Sequence, residues 1–267
     1  MGNLLHRVSS LFRELSPVKY AYPALDMFLP AKRQLHLVGS IHMGTRDMMP
    51  LPATLLQRLN RADALVVEAD ITGGASPFAH SETHAPLEQR LSAQNMQTLL
   101  RLCDELAINA EMIAALPGWQ VALMLQAQQA QRLGLRPDYG IDYQLLQAAR
   151  LRKLKIIELE GPDEQLELLK ALPDNGMPLL EDTLQHWHTN ARMLQTMVSW
   201  WLEAPPGQRQ VELPSTFSSE LNDVLMHQRN QRWADALLSM PAGRYVVAVG
   251  ALHLYGDGNL PELLKGR

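Results

Sequence analysis

Two apolar runs, far apart in the chain, end in the same way. HLVGSIHMG (His36–Gly44) and VVAVGALHLYG (Val246–Gly256) each stop at a glycine, Gly39 or Gly250, and deliver a histidine three residues later, His42 or His253. Between them ALVVEAD is apolar on both faces until its acids arrive, as strands are in a parallel sheet covered by helices on both sides. ALDMFL and QLHLVGS flank PAKR, a hairpin turn, and PATLLQRLNRAD before ALVVEAD is helical, which makes a strand–helix–strand unit. KIIELE and RYVVAVGAL supply two more strands, and helical patterns fill the rest, with Ser92 as an N-cap and Gly134 as a C-cap. The order ββαβ, helices, β, helices, β, α predicts an α/β fold. We expect a small, mostly parallel sheet whose strand ends form the site, with a large helical insertion.

The 267 residues, 46% of them hydrophobic, suffice for one large core. We expect a single α/β domain over 1–267, with the insertion over about 86–240 interrupted by the strand 155–160. Leu4, Val8, Leu11, Phe12 and Leu15 predict an amphipathic helix over 2–15 that packs on the domain. A formal net charge of -4 carries no electrostatic footprint for nucleic acid. No apolar run is long enough to span a bilayer, and the first residues lack the apolar core of a secretory signal. With Cys103 as the one cysteine, no internal disulfide can form, and the expected location is the cytoplasm. The sequence leaves a homo-oligomer open.

The strand ends carry the chemistry. One points toward His42, ALVVEAD ends in Glu68 and Asp70, KIIELE ends in Glu158 and Glu160, and the last points toward His253. Ligands of open α/β sheets bind beyond the carboxyl ends of the strands, so these scattered residues form one candidate constellation. Two imidazoles and a carboxylate suit a divalent ion and leave positions for water and substrate. Either acidic pair, with its period-two spacing, supplies one ligand and one base. Gly39 and Gly250 permit a sharp turn or a close backbone approach. His36, His80, His84, His186, His188 and His227 read as structural, and the thirteen Met residues, with Trp187, Trp200 and Trp201, read as core. Glu158 and Asp142 fit helix starts, and Arg229 and Asn230 fit a polar helix face.

GSIHMG and GALHLYGDGNLPELL, with LVVEAD, YGID, IIELEG and QRN between them, resemble the TraB/GumN/PrgY family, which includes the Tiki metalloproteases. The likeness runs from about Leu25 to Leu264. It implies an architecture like that of erythromycin esterase and ChaN, and a metal-dependent peptidase using manganese or cobalt, with zinc as a further candidate. The motif residues fall on His42, His253 and Glu68 as metal ligands. Arg229 and Asn230 fall on the polar helix motif, and Gly140 and Asp142 on a Gly-x-Asp element.

The expectation is therefore a metal-dependent hydrolase, peptidase before esterase, acting on a peptide or small molecule. Asp70 or Glu160 would serve as base or orienter and Arg229 would stabilise the oxyanion. Gly39, Gly250, Asp142 and Asn230 would line or support the site. The alternative is a non-catalytic protein that sequesters a peptide or haem in the same cleft.

Overall fold

The structure is a computed structural model that describes residues 19–72, 83–207, 214 and 217–266. The expected N-terminal helix over 2–15 and His80 lie outside the described residues.

Five strands form one sheet in the order β1-β2-β5-β3-β4. They are β1 (Ala24–Leu29), β2 (Arg33–Ser40), β3 (Ala64–Val67), β4 (Lys155–Glu158) and β5 (Gly243–Gly250). Only the β1–β2 pair is antiparallel; β2–β5, β5–β3 and β3–β4 are parallel. The hairpin turn forms where PAKR predicts it, with Ala31 and Lys32 at positive φ. The sheet is thus mixed α/β and mostly parallel, as expected. Each residue of β3, Ala-Leu-Val-Val, is buried, as is the run Tyr245–Val249 of β5. Helices cover both faces, so alternation is lost and continuous apolar runs result.

Five helices matter for the site: α1 (Ala53–Asn60), α2 (Gly118–Arg132), α3 (Ile141–Leu151), α4 (Trp187–Leu202) and α5 (Gln228–Ser239). In α3 the buried Ile141, Leu145, Ala148 and Ala149 make one stripe at helical spacing, which packs it in the sheet's core. Gly134 closes α2 at φ +84, with the Leu135 N–H returning to the Ala130 carbonyl. The helical pattern MPLLEDTLQHWHTNARMLQTMVSWWLEA, which fits either one long helix or a broken pair, is broken: Pro173–Gln185 ends at His186, and α4 begins at Trp187.

Two apolar cores result. One surrounds the sheet and includes Trp200, Trp201 and Trp233; the other lies within the helices around Leu99, Trp119, Leu180 and Trp187. Cys103 is buried and unpaired in the second. Between the helical layer and the carboxyl rim of the sheet lies a cavity of about 490 Å³.

Candidate active site

Parallel register brings the two glycine–histidine segments together. Ser40 of β2 pairs with Gly250 of β5, and Gly39 with Val249, so both histidines leave the sheet at the same height. Gly39 lies inside β2; a Cβ there would stand 3.1 Å from Ala251 Cα and 3.2 Å from Pro23 Cβ. Gly250 donates its N–H to Glu68 Oε1 at 2.6 Å. Neither glycine has a positive φ, so the pattern serves close approach rather than a turn.

Glu68 follows the last residue of β3 and is buried. Its Oε2 accepts from Arg229 Nη2 at 2.7 Å and from Gln165 Nε2 at 3.4 Å. Burial opposes ionisation of this carboxyl, yet the charges of His253, Arg229 and His42 and the Gly250 N–H hold it down to about 2. Arg229 also grips Glu160, Nε to Oε1 and Nη2 to Oε2, both at 2.9 Å. The guanidinium therefore bridges two buried acids, and it lies 4.6 Å from the centre of the Trp233 ring. Arg229 stands two residues after a π-helical stretch, Asp223–His227, a local widening of the helix close to the rim.

The two histidines are held alike and pulled apart. His253 is buried; its Nδ1 meets Asn230 Oδ1 at 2.6 Å, while Asn230 Nδ2 donates to the Gly258 carbonyl at 3.0 Å. That second bond fixes the amide, so Nδ1 carries the proton and Nε2 presents its lone pair, 3.5 Å from Arg229 Nη1. Burial drives the His253 pKa down to about 4, against the attraction of Glu68. His42 Nδ1 forms an ion pair with Asp142 Oδ2 at 2.9 Å, and its ring is 61% exposed. The Asp142 charge raises the His42 pKa to about 9, a pull that solvent in the cavity screens.

Of the residues singled out in the sequence, His42, Glu68, Arg229 and His253 all line the cavity; Glu160 anchors Arg229 behind them, and Asp142 and Asn230 hold the rings. Asp70 is not among them. β3 ends at Val67, and the chain then turns, the Glu68 carbonyl accepting from the Glu160 and Gly161 N–H groups. Asp70 points to Thr72 and Arg150 instead, so the base or orienter role expected for it has no geometry here. Glu158, likewise, receives the Asp70 N–H at 2.5 Å. His36 is structural as expected, its ring between Asp26 and the Tyr22 hydroxyl.

The family model of TraB/PrgY/gumN matches residues 30–267 of the chain. The chain belongs to the TraB/PrgY/gumN family. It is 55% identical to YbaP, an uncharacterized protein of Escherichia coli (strain K12), over 98% of this chain and 100% of that one. The YbaP of Shigella flexneri is similar to the same degree, 55% over the same shares. No solved structure matches the chain.

Two features of this TraB-family site escape sequence reading. Gln165, which reaches both Glu68 and Glu160, carries no signal beyond a polar residue on a helix. Trp233, whose ring lies 4.5 Å from that of His253, does carry one: it stands four residues after Arg229, on the same helix face.

Proposed function

We propose that this chain is a hydrolase of amide bonds, peptidase before esterase, working at the His42–Glu68–Arg229–His253 cluster. The observation that carries the reading is the convergence of His42, Glu68, Arg229 and His253 on one apolar cavity, with each ring held at its Nδ1 by Asp142 or Asn230. Environments that drive two titratable groups apart assign one as acid and the other as base. His253, neutral near pH 7, would take the proton of an attacking water at Nε2. His42, protonated beside Asp142, would donate to the leaving nitrogen. Arg229 Nη1, close to His253 Nε2, would hold the carbonyl oxygen as charge develops.

A divalent ion, manganese before cobalt or zinc, is the second route, and the donor chemistry supports it. Each ring has its Nδ1 engaged, as metal-ligating histidines do, His253 Nε2 meets only Arg229 Nη1 at 3.5 Å, and Glu68 is ionised. His42, His253 and Glu68 would hold the ion, with Arg229 withdrawn from Glu68 Oε2. Among the described residues no three His, Cys, Asp or Glu side chains are grouped about one point, so this route requires that rearrangement. The ion would supply Lewis acidity and a bound water of lowered pKa.

We also propose, from the placement of the site at the strand ends, that the fold is akin to those of erythromycin esterase, ChaN and Tiki. Among the described residues no helix is long and apolar enough to cross a membrane. The lone buried thiol supports our placing the hydrolase in the cytoplasm.

The test is cleavage of a peptide library, with and without manganese, by the wild type and by Glu68→Gln, with metal content measured in His42→Ala and His253→Ala. Glu68→Gln is expected to abolish turnover on the ion route, where it is a ligand, and His253→Ala to lower it about 10²–10⁴-fold on the acid–base route. Metal lost in both histidine variants selects the ion route. Metal unchanged in both, with turnover indifferent to manganese, selects the acid–base route. Peptide binding with no product in any condition overturns the hydrolase reading in favour of sequestration.

A further inference from the structure

The cavity divides into two chemistries. Its floor is the polar rim, while its walls come from the helices and are aliphatic, among them Leu123, Ala127, Met193, Leu194, Met197 and Leu225. Phe217 is the only Phe, Tyr or Trp among the described lining residues. Methionine walls adapt to a flexible guest, where aromatic walls would select a flat one. Two buried polar atoms of lining residues find no partner among the described residues: Ser40 Oγ at the floor and Gln129 Oε1 on the wall. Gln129 is 5% exposed, and its Nε2 donates to the Trp187 carbonyl at 2.8 Å, so its orientation is set. Its Oε1 is an acceptor awaiting a donor.

On the hydrolase reading, we infer that the substrate is an N-acyl amide with an unbranched aliphatic chain. The chain lies against the helical walls, the amide N–H donates to Gln129 Oε1, and the carbonyl sits over the floor near Ser40 and Arg229. The cavity, of about 490 Å³, has room for an amide head and an aliphatic chain along its walls. The hydrolase reading is thereby narrowed from peptides in general to amides whose acyl side is aliphatic, because an extended peptide leaves most of its backbone groups unmet along these walls. Such a peptide brings a donor and an acceptor with every residue, and among the described lining residues the walls offer, beyond Gln129, only the Gln126 and Asn190 amides. Gln126 already donates to Thr183. Hydrolysis of the amide consumes one water: the C–N bond breaks, a C–O bond forms, and the amine leaves with a proton, releasing a fatty carboxylate.

The experiment measures binding to the full chain of N-acetyl, N-octanoyl and N-dodecanoyl glycinamide below their micellar concentrations, with turnover followed in parallel. Affinity is expected to rise about fourfold per methylene until the cavity is full. The ester that matches the dodecanoyl amide is expected to bind about tenfold more weakly, for want of the N–H. Gln129→Leu should erase that difference while leaving the chain-length dependence. Leu194→Trp, or Ala127→Phe should the first variant fail to fold, should move the optimum to shorter chains. Affinity independent of chain length, or equal for amide and ester, overturns the inference. The two readings fail separately. Equal turnover of acetyl and dodecanoyl amides removes the chain and keeps the hydrolase. Chain-dependent binding with no product from any amide keeps the ligand and removes the hydrolase.

Discussion

Arg229 donates to both oxygens of Glu160 and to one of Glu68, and the Glu160 side chain is only 2% exposed. One guanidinium therefore makes two buried negative charges tolerable. Glu160 also meets Arg232 at 3.5 Å, but that partner is half exposed and contributes little. Removing the bridge leaves two largely buried carboxylates facing one another with no counter-charge between them. Arg229→Gln is expected to cost about 3–5 kcal/mol, measured by chemical denaturation at pH 7. A loss below about 1 kcal/mol would show that water reaches both acids and that the bridge is dispensable. At this scale the sequence was partly readable. His42, His253 and Glu68 announce themselves because each ends an apolar run, a position where a polar residue has few structural duties. Asp70 carried the same signal and proved different. The period-two argument holds only while the strand continues, and the backbone leaves the sheet after Val67.

Elements were more legible than their ends. All five strands occur where apolar runs predict them; in β3 and most of β5 burial on both faces writes itself into consecutive residues, while the edge strands β1 and β4 are only partly buried. The π-helical stretch Asp223–His227 is invisible in the sequence, because one extra residue in a turn leaves helical spacing almost unchanged. Also unannounced is the polar network behind β1 and β2. His36 Nδ1 lies 2.8 Å from Asp26 Oδ1, Tyr20 donates to Asp26 Oδ2 at 2.6 Å, and Arg58 of α1 reaches the same oxygen at 2.8 Å. It fastens the hairpin to the helix that follows it. Burial works against the Asp26 charge, but the His36 and Tyr20 hydrogen bonds and the Arg58 charge prevail and hold its pKa below the ordinary 3.8. A depressed carboxylate adds stability above its unfolded pKa and loses it as the pH falls through the folded value. Asp26→Asn is therefore expected to cost about 1–3 kcal/mol at pH 7. The wild type and the variant should converge in stability as a urea titration is repeated from pH 6 down toward pH 3. A constant gap over that range would show that Asp26 works through packing alone.

At the scale of the molecule, the site depends on how closely the helical layer seats on the rim. Two glycines set that distance. A Cβ on Gly140 would stand 2.2 Å from the His42 carbonyl oxygen, and one on Gly44 would stand 2.3 Å from that of Tyr139. The chain is bridged there, Gly44 to Arg136, just before α3 presents Asp142 to His42. Gly140→Ala has an ordinary φ available, so its cost is steric. We expect a loss of about 1–3 kcal/mol in thermal unfolding, with the His42 ring displaced from Asp142. An unchanged melting curve would mean that the two layers slide apart freely. The position of β5 has a consequence for how the chain is made. It is the last of the five strands in chain order and the middle one of the sheet. Until the ribosome releases it, the earlier strands can form only two separate ribbons, each with a raw edge open to strangers. Its arrival closes both edges and delivers the second imidazole in the same step, so a half-made copy has no reactive centre to misuse.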